Sequence, residues 1–207
     1  MLRFIPNILT FGRLVLTIIF LIMVLYAPPR YAHGEIPFPG FLDIAFVLFV
    51  IAGLTDMIDG AVARRLNVTS KFGRMLDPLV DKVLVCGAFI CFAIIGEPKL
   101  FGFGTATLAV IHWSIVGILI ARDAYVTILR HFAEARGINF AAILSGKLKM
   151  FLHTFAIGTV IIKMAHVQTA AWGYWFTTVT LVIMIIVTMI SGLTYQIRWL
   201  RCSPEVN

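Results

Sequence analysis

The chain has 207 residues, of which 60% are hydrophobic and 13% charged, and its mean hydropathy is +0.98. Such a composition excludes a soluble globular domain and describes a chain whose surface meets lipid. Seventeen Lys and Arg against ten Asp and Glu leave a net charge of +7, and nothing in their distribution suggests a nucleic-acid partner.

Six apolar segments follow in chain order, roughly 8–26, 42–66, 72–96, 105–131, 144–165 and 170–199. Each is long enough to cross about 30 Å of hydrocarbon at about 1.5 Å per residue. The prediction is an all-α integral membrane protein with six transmembrane helices in one domain, 1–207. The first segment carries Arg13 and has no small-residue cleavage site after Tyr26, so it reads as a retained span rather than a signal peptide. There is no internal repeat and no soluble module. Pro28-Pro29 to Pro39-Gly40 reads as an exposed outer turn without chemistry.

The uncharged parts of the second and third segments, about 44–55 and 83–96, are too short to span alone. Their charged halves need shielding by neighbouring helices or water, which predicts a polar cavity entering the bilayer from one side. Lone residues in apolar runs have bland readings. His112 and His153 are expected to pack, and Lys82 to snorkel or pair with a neighbouring acid. Cys86, Cys91 and Cys202 lack metal or disulfide spacing. Trp172, Tyr174 and Trp175 resemble an interfacial aromatic belt at the outer face.

With six spans the termini share a side with the loops near 67–71 and 132–143. Fourteen of the seventeen basic residues fall to that side, including Arg3, Arg13, Arg64, Arg74, Arg122, Arg130, Lys147 and Lys149. Only Arg30, Lys99 and Lys163 fall to the other. Short loops with this bias are cytoplasmic. The charge therefore sets topology, with some attraction to anionic membrane lipids.

Four of the ten acidic residues, Asp56, Asp59, Asp77 and Asp81, lie at that cytoplasmic side of the second and third helices. Ionised carboxylates in apolar helices are costly and signal a bound cation, a proton path or a paired base. On a helix Asp59, Gly60 and Ala63 lie within about 60° of Asp56, with Arg64 on the flank. Gly73, Asp77 and Asp81 follow at i, i+4 and i+8 on the next helix. A short polar hinge makes the two helices antiparallel neighbours, so the stripes can face each other. An all-carboxylate site of this kind suits a pair of divalent metal ions.

The spacing Asp-x2-Asp-Gly-x2-Ala-Arg-x8-Gly-x3-Asp-x3-Asp over residues 56–81 resembles the signature of the CDP-alcohol phosphotransferases at every fixed position. Further runs are similar to one branch, the phosphatidylglycerophosphate synthases: Ile5-Pro6-Asn7-Ile8-Leu9-Thr10 with Arg13, Lys71-Phe72-Gly73, Ala121-Arg122-Asp123, and Ser145-Gly146-Lys147-Leu148-Lys149. Asp123 differs, since that branch more often carries Glu there. The likeness runs to about Met150; the remaining residues are only generically hydrophobic.

The resemblance implies transfer of a phosphatidyl group from CDP-diacylglycerol to glycerol 3-phosphate with release of CMP. It implies two divalent cations, Mg2+ or Mn2+, with Asp56 and Asp77 binding both, Asp59 one and Asp81 the other. Asp81 is also implied as the general base, and Asn7, Thr10, Gly60, Ala63, Arg64, Ser70 and Gly73 as CDP-lipid contacts. It further implies a homodimer in a bacterial-type plasma membrane.

The acceptor's phosphate asks for a basic pocket, and Arg122, Arg130, Lys147 and Lys149 supply cytoplasmic charge for one, with Arg74 and Arg13 close by. Inositol phosphate would want the same charge, and serine or phosphatidylglycerol are the other acceptors in the family. The plainer readings are topology charges for the basic residues and structural ion pairs for the aspartates. A cation transporter is a third reading, but the outer halves of helices 2 and 3 are almost wholly apolar.

The orientation is directly testable. In a background without the three native cysteines, Asn67→Cys should be labelled by an impermeant thiol reagent only from the cytoplasmic face, and His33→Cys only from outside. The reverse pattern overturns the assignment.

Overall fold

A computed structural model describes the backbone of residues 5–32, 40–66, 71–136 and 144–202, and side chains over most of these. All of the regular structure in them is helical: α1 (Ile5–Ala32), α2 (Phe41–Leu66), α3 (Lys71–Ile95), α4 (Thr105–Ala135), α5 (Leu144–His166) and α6 (Ala171–Cys202). Among the described residues, four stretches are long and apolar enough to cross a membrane: Thr10–Ala27, Thr105–Ala133, Leu148–His166 and Ala171–Leu200. The described part of α2 contributes the shorter apolar run Phe41–Thr55.

The expected segments recur within a few residues, with one correction. α1 continues through Pro28-Pro29 to Ala32, where an exposed turn was expected. Proline's fixed φ is helical, so the ring pair need not end the spiral, although it withholds two N–H donors from the carbonyls one turn back. Pro6 sits in the first turn of α1, where its missing N–H is no loss.

Helix ends follow local chemistry. α3 stops where Gly96 turns left-handed (φ 71°) and the Glu97 N–H reaches back to the Phe92 carbonyl at 3.1 Å, satisfying an orphan acceptor. The His112 ring on α4 meets the Pro98 carbonyl at 3.2 Å and ties that turn to the bundle, a packed histidine as expected. At the α5 C-terminus the Gln168 side-chain amide donates to the Met164 carbonyl at 2.9 Å. The Tyr174 hydroxyl then closes the α5–α6 turn on the Gln168 carbonyl at 2.9 Å.

α1 packs against both α2 and α3; α2 and α3 also meet α5, and α4 meets α3 and α6. The core runs through all six helices, with Phe20, Phe49, Phe92, Leu119, Ile157 and Met184 buried. Phe20 and Phe49 join α1 to α2 with ring centroids 5.3 Å apart. In lipid there is little hydrophobic gain in pairing helices, so close approach matters more. Gly87 shows it: a Cβ there would stand 2.8 Å from Leu21 Cδ1, so α3 meets α1 through a residue without a side chain. The outward positions are apolar too, Val47, Val110 and Ile186 among them, which is the inverse of a soluble protein's surface.

Candidate active site

Polar side chains gather at one end of the bundle. On α1, Arg13 is 1% exposed and donates from Nη1 to Asp81 Oδ1 on α3 at 3.4 Å; the Asp81 side chain is 33% exposed. Thr10 is buried one turn before Arg13. Asp81 is thus held from the α1 side by a guanidinium that has no route to bulk water. The Lys82 ammonium donates to Thr127 Oγ1 on α4 at 2.9 Å. Thr127 in turn donates to the Asp123 carbonyl at 2.6 Å. The expected acid partner of Lys82 is replaced, among the described residues, by this hydroxyl.

A second group lies between α4, α5 and α6. The Asp123 carboxylate accepts from Arg122 at 2.9 Å and from Lys149 on α5. Arg122 reaches across to Ser191 on α6 at 2.5 Å, and its Nε is buried without a hydrogen-bond partner among the described residues. Arg130, two turns after Arg122, donates to the Tyr195 hydroxyl at 2.5 Å. The Tyr195 ring lies under both guanidinium groups, at 5.0 Å from that of Arg130 and 6.0 Å from that of Arg122. His153 meets Thr188 at 2.9 Å, so it too is a packed, bonded histidine. Gly192 keeps this face open: a Cβ there would stand 3.4 Å from Arg122 Cγ.

The geometry therefore brings together Arg122, Arg130 and Lys149 of the expected phosphate clamp. For Lys147 only the helical backbone is described, and the same holds for Asn7, Gly60, Ala63, Arg64 and Gly73. Ser70 lies outside the described residues. Asp56 and Asp59 occupy the last turns of α2, and Asp77 precedes Asp81 by one turn on α3, but the side chains of these three also lie outside them. Among the described residues no three acids, histidines or cysteines form a metal-binding group. What can be tested is donor chemistry. Four carboxylates spaced at one-turn intervals on two helices are hard oxygen donors, which fits Mg2+ or Mn2+ and not a thiophilic metal.

The profile of the CDP-alcohol phosphatidyltransferase family matches residues 3–190. The chain belongs to this family. It is 29% identical over 198 residues to a protein of Mycobacterium tuberculosis named probable phosphatidylglycerophosphate synthase, covering 94% of this chain and 81% of that one. It is 32% identical over 193 residues to the CDP-diacylglycerol–glycerol-3-phosphate 3-phosphatidyltransferase of Bacillus subtilis, covering 92% of each. A protein of Salmonella choleraesuis with the same name is 41% identical over 86 residues, 42% of each chain.

The α6 side of this family member's polar group went unread in the sequence. Thr188, Ser191, Gly192 and Tyr195 recur at i, i+3, i+4 and i+7, the small-and-polar stripe of one helix face in an otherwise apolar run. That period was the available signal.

Asp123 is the only described acid in contact with Arg122 and Lys149. Asp123→Asn should lower stability by about 3 kcal/mol, because two cations then remain buried without their counter-charge. Asp123→Asn combined with Lys149→Gln should recover part of that loss in a thermal melt in detergent. Strict additivity of the two single variants would show that the pair is not energetically coupled.

Proposed function

We propose that this chain transfers the phosphatidyl group of CDP-diacylglycerol to glycerol 3-phosphate, giving phosphatidylglycerol phosphate and CMP for phospholipid biosynthesis. The supporting observation is the complete aspartate motif of residues 56–81 inside a family match over 3–190, in a chain similar over 92% of its length to a relative named for that reaction.

In the step, the acceptor hydroxyl oxygen forms a bond to the phosphorus that bears the diacylglycerol. That phosphorus loses its bond to the CMP oxygen, and the hydroxyl proton passes to the Asp81 carboxylate. A carboxylate is a weak base for an alcohol, but the proton leaves as the O–P bond forms. Arg13 orients Asp81 from α1. Asp56, Asp59, Asp77 and Asp81 would hold two divalent cations, Mg2+ or Mn2+, which when bound neutralise the pyrophosphate and the departing CMP. Asn7, Thr10, Gly60, Ala63, Arg64, Ser70 and Gly73 would contact the CDP-lipid. Arg122, Arg130, Lys147 and Lys149 would bind the phosphate of the acceptor as guanidinium forks and ammonium charges. Six spans, with both termini and the polar cavity on the cytoplasmic side of a bacterial-type plasma membrane, would admit the lipid laterally and the soluble acceptor from below. A homodimer is part of the same reading.

Activity should require added Mg2+ or Mn2+ and disappear in excess EDTA; full turnover in chelator sinks the two-metal reading. Asp56→Asn and Asp77→Asn should abolish turnover while the protein still inserts, since the apolar helices decide insertion. Near-wild-type rates in either variant would remove the bridging assignment.

Neutralising Arg130 or Lys149 should raise the KM for glycerol 3-phosphate about ten- to a hundredfold with little change in the KM for the CDP-lipid, the scale of one charge-assisted contact. Asp81→Asn should instead collapse kcat, and saturating acceptor should not restore it. Labelled glycerol 3-phosphate, competed with inositol phosphate and with serine at one CDP-lipid concentration, identifies the acceptor. Unchanged acceptor KM in the Arg130 and Lys149 variants would return those residues to topology charges.

A further inference from the structure

The opposite end of the bundle carries a charged feature that the transfer reaction does not use. α2, α5 and α6 enclose a groove of about 460 Å³. Phe46 and Phe49 of α2, Phe155 and Ile162 of α5, and Trp172 and Phe176 of α6 make its walls. Thr154 and Thr159 also line it, but their hydroxyls donate to the Met150 and Phe155 carbonyls of their own helix at 3.0 and 2.9 Å. Gly158 gives it depth, since a Cβ there would stand 3.2 Å from Phe46 Cε2. From Phe151 to Lys163 the groove follows α5 for about 18 Å at the rise of a helix. It is a dry slot of the length of one acyl chain.

Lys163 closes its end. The residue is 4% exposed, and its ammonium lies 4.6 Å from the centroid of the Tyr174 ring. Among the described residues it makes no ion pair and no hydrogen bond. Glu97 and Lys99, the charged groups that face it from the α3–α4 turn, carry opposite signs. Asp43, at the start of α2, is taken up by His166 at 2.6 Å. A cation that rests on an aromatic face and makes no ion pair among the described residues is incompletely compensated, and an anion at that point would complete it. Trp172, 63% exposed, lines the groove at this end, and the exposed Trp175, on the same turn of α6, packs on Phe101. Such residues settle at the depth of lipid headgroups, which puts the Lys163 ammonium near lipid phosphates.

We propose that the α2–α5–α6 groove binds one anionic membrane phospholipid, with an acyl chain along Phe46, Phe155 and Phe176 and its phosphate at Lys163. The lipid belongs to the leaflet opposite the one served by the Asp81 end of the bundle. Its charge meets Lys163, and its chain fills the gap between α2 and α5 that no side chain fills. The site does not depend on which acceptor the enzyme uses.

The test uses the full chain in micelles containing equal amounts of phosphatidylserine and phosphatidylcholine, with retained lipid counted by native mass spectrometry. The wild type should retain phosphatidylserine about fivefold over phosphatidylcholine, the scale of one lysine charge beside an anionic lipid. Lys163→Met should bring that preference close to unity with the transfer rate unchanged, while Lys163→Arg keeps it. Thr154→Trp, which fills the far end of the slot, should reduce retention of both lipids. An undiminished preference in Lys163→Met overturns the site, as does unchanged retention in Thr154→Trp. A raised KM for CDP-diacylglycerol in Thr154→Trp, with Lys163→Met silent, assigns the groove to the substrate's own chains. A shift to smaller assemblies in Lys163→Met assigns it to a second copy of the chain. Either result also overturns the proposal.

Discussion

The Asp123 carboxylate is the point on which the polar end of this bundle depends. It faces two buried cations, Arg122 beside it on α4 and Lys149 across on α5, and it cannot neutralise both. The surplus charge is met by weaker means. Ser191 accepts from Arg122, the Tyr195 hydroxyl accepts from Arg130, and the Tyr195 ring lies under both guanidinium groups. Neutral oxygens and π-faces hold a cation in place without cancelling it. A cluster fully paired with acids would be easier to bury, but it would have little field left for an anionic substrate. One acid for two cations leaves net positive charge in the cluster, a compromise between burial and the proposed acceptor binding.

That compromise explains the division of labour among the helices. α6 is apolar over most of its length, yet it turns Ser191, Gly192 and Tyr195 to α4 and Thr188 to His153 of α5. The two small residues allow the arginines to approach, and the hydroxyls receive them. Elsewhere α6 shows Ile183, Ile186 and Leu193 outward, where no polar partner is needed. On the far side of the bundle the same logic acts through α1. Arg13 is wholly buried, so its bond to Asp81 fixes that carboxylate with little freedom to swing towards solvent. In the proposed reaction, such restraint would suit Asp81 as base and metal ligand.

Much of this was legible in the sequence because membrane helices are dominated by one variable. Six apolar runs of sufficient length predicted six helices, and all but the C-terminal end of α1 recur within a few residues of the expected bounds. The aspartate motif and the basic residues of α4 and α5 were legible as well, since charge in an apolar run has few meanings. What could not be read is which uncharged residues answer those charges. Thr127, Ser191 and Tyr195 look ordinary in sequence, and their partners lie 45 to 69 residues away. Contacts at such separation depend on which helices pack together, and hydropathy does not encode that. The helical course through Pro28-Pro29 was missed for a different reason: proline reads as a breaker, although its fixed φ is itself helical.

The two lysines of α5 show how the same residue type takes on different work at different depths. Lys149 and Lys163 are fourteen positions apart on α5, about 21 Å along a helix. Both are largely buried. Lys149 has a carboxylate and a place in a polar group that reaches three helices. Lys163 has only the face of Tyr174 and a dry slot below it. A lysine can usually extend its stem and reach water at a membrane surface. Lys163 lays its ammonium over the Tyr174 ring at 4.6 Å, beside the turn in which the Val167 N–H returns to the Lys163 carbonyl at 3.1 Å. The fold therefore holds a positive charge at headgroup depth and turns it towards lipid. Near the other end of α5 the positive charge of Lys149 is turned inwards, towards Asp123.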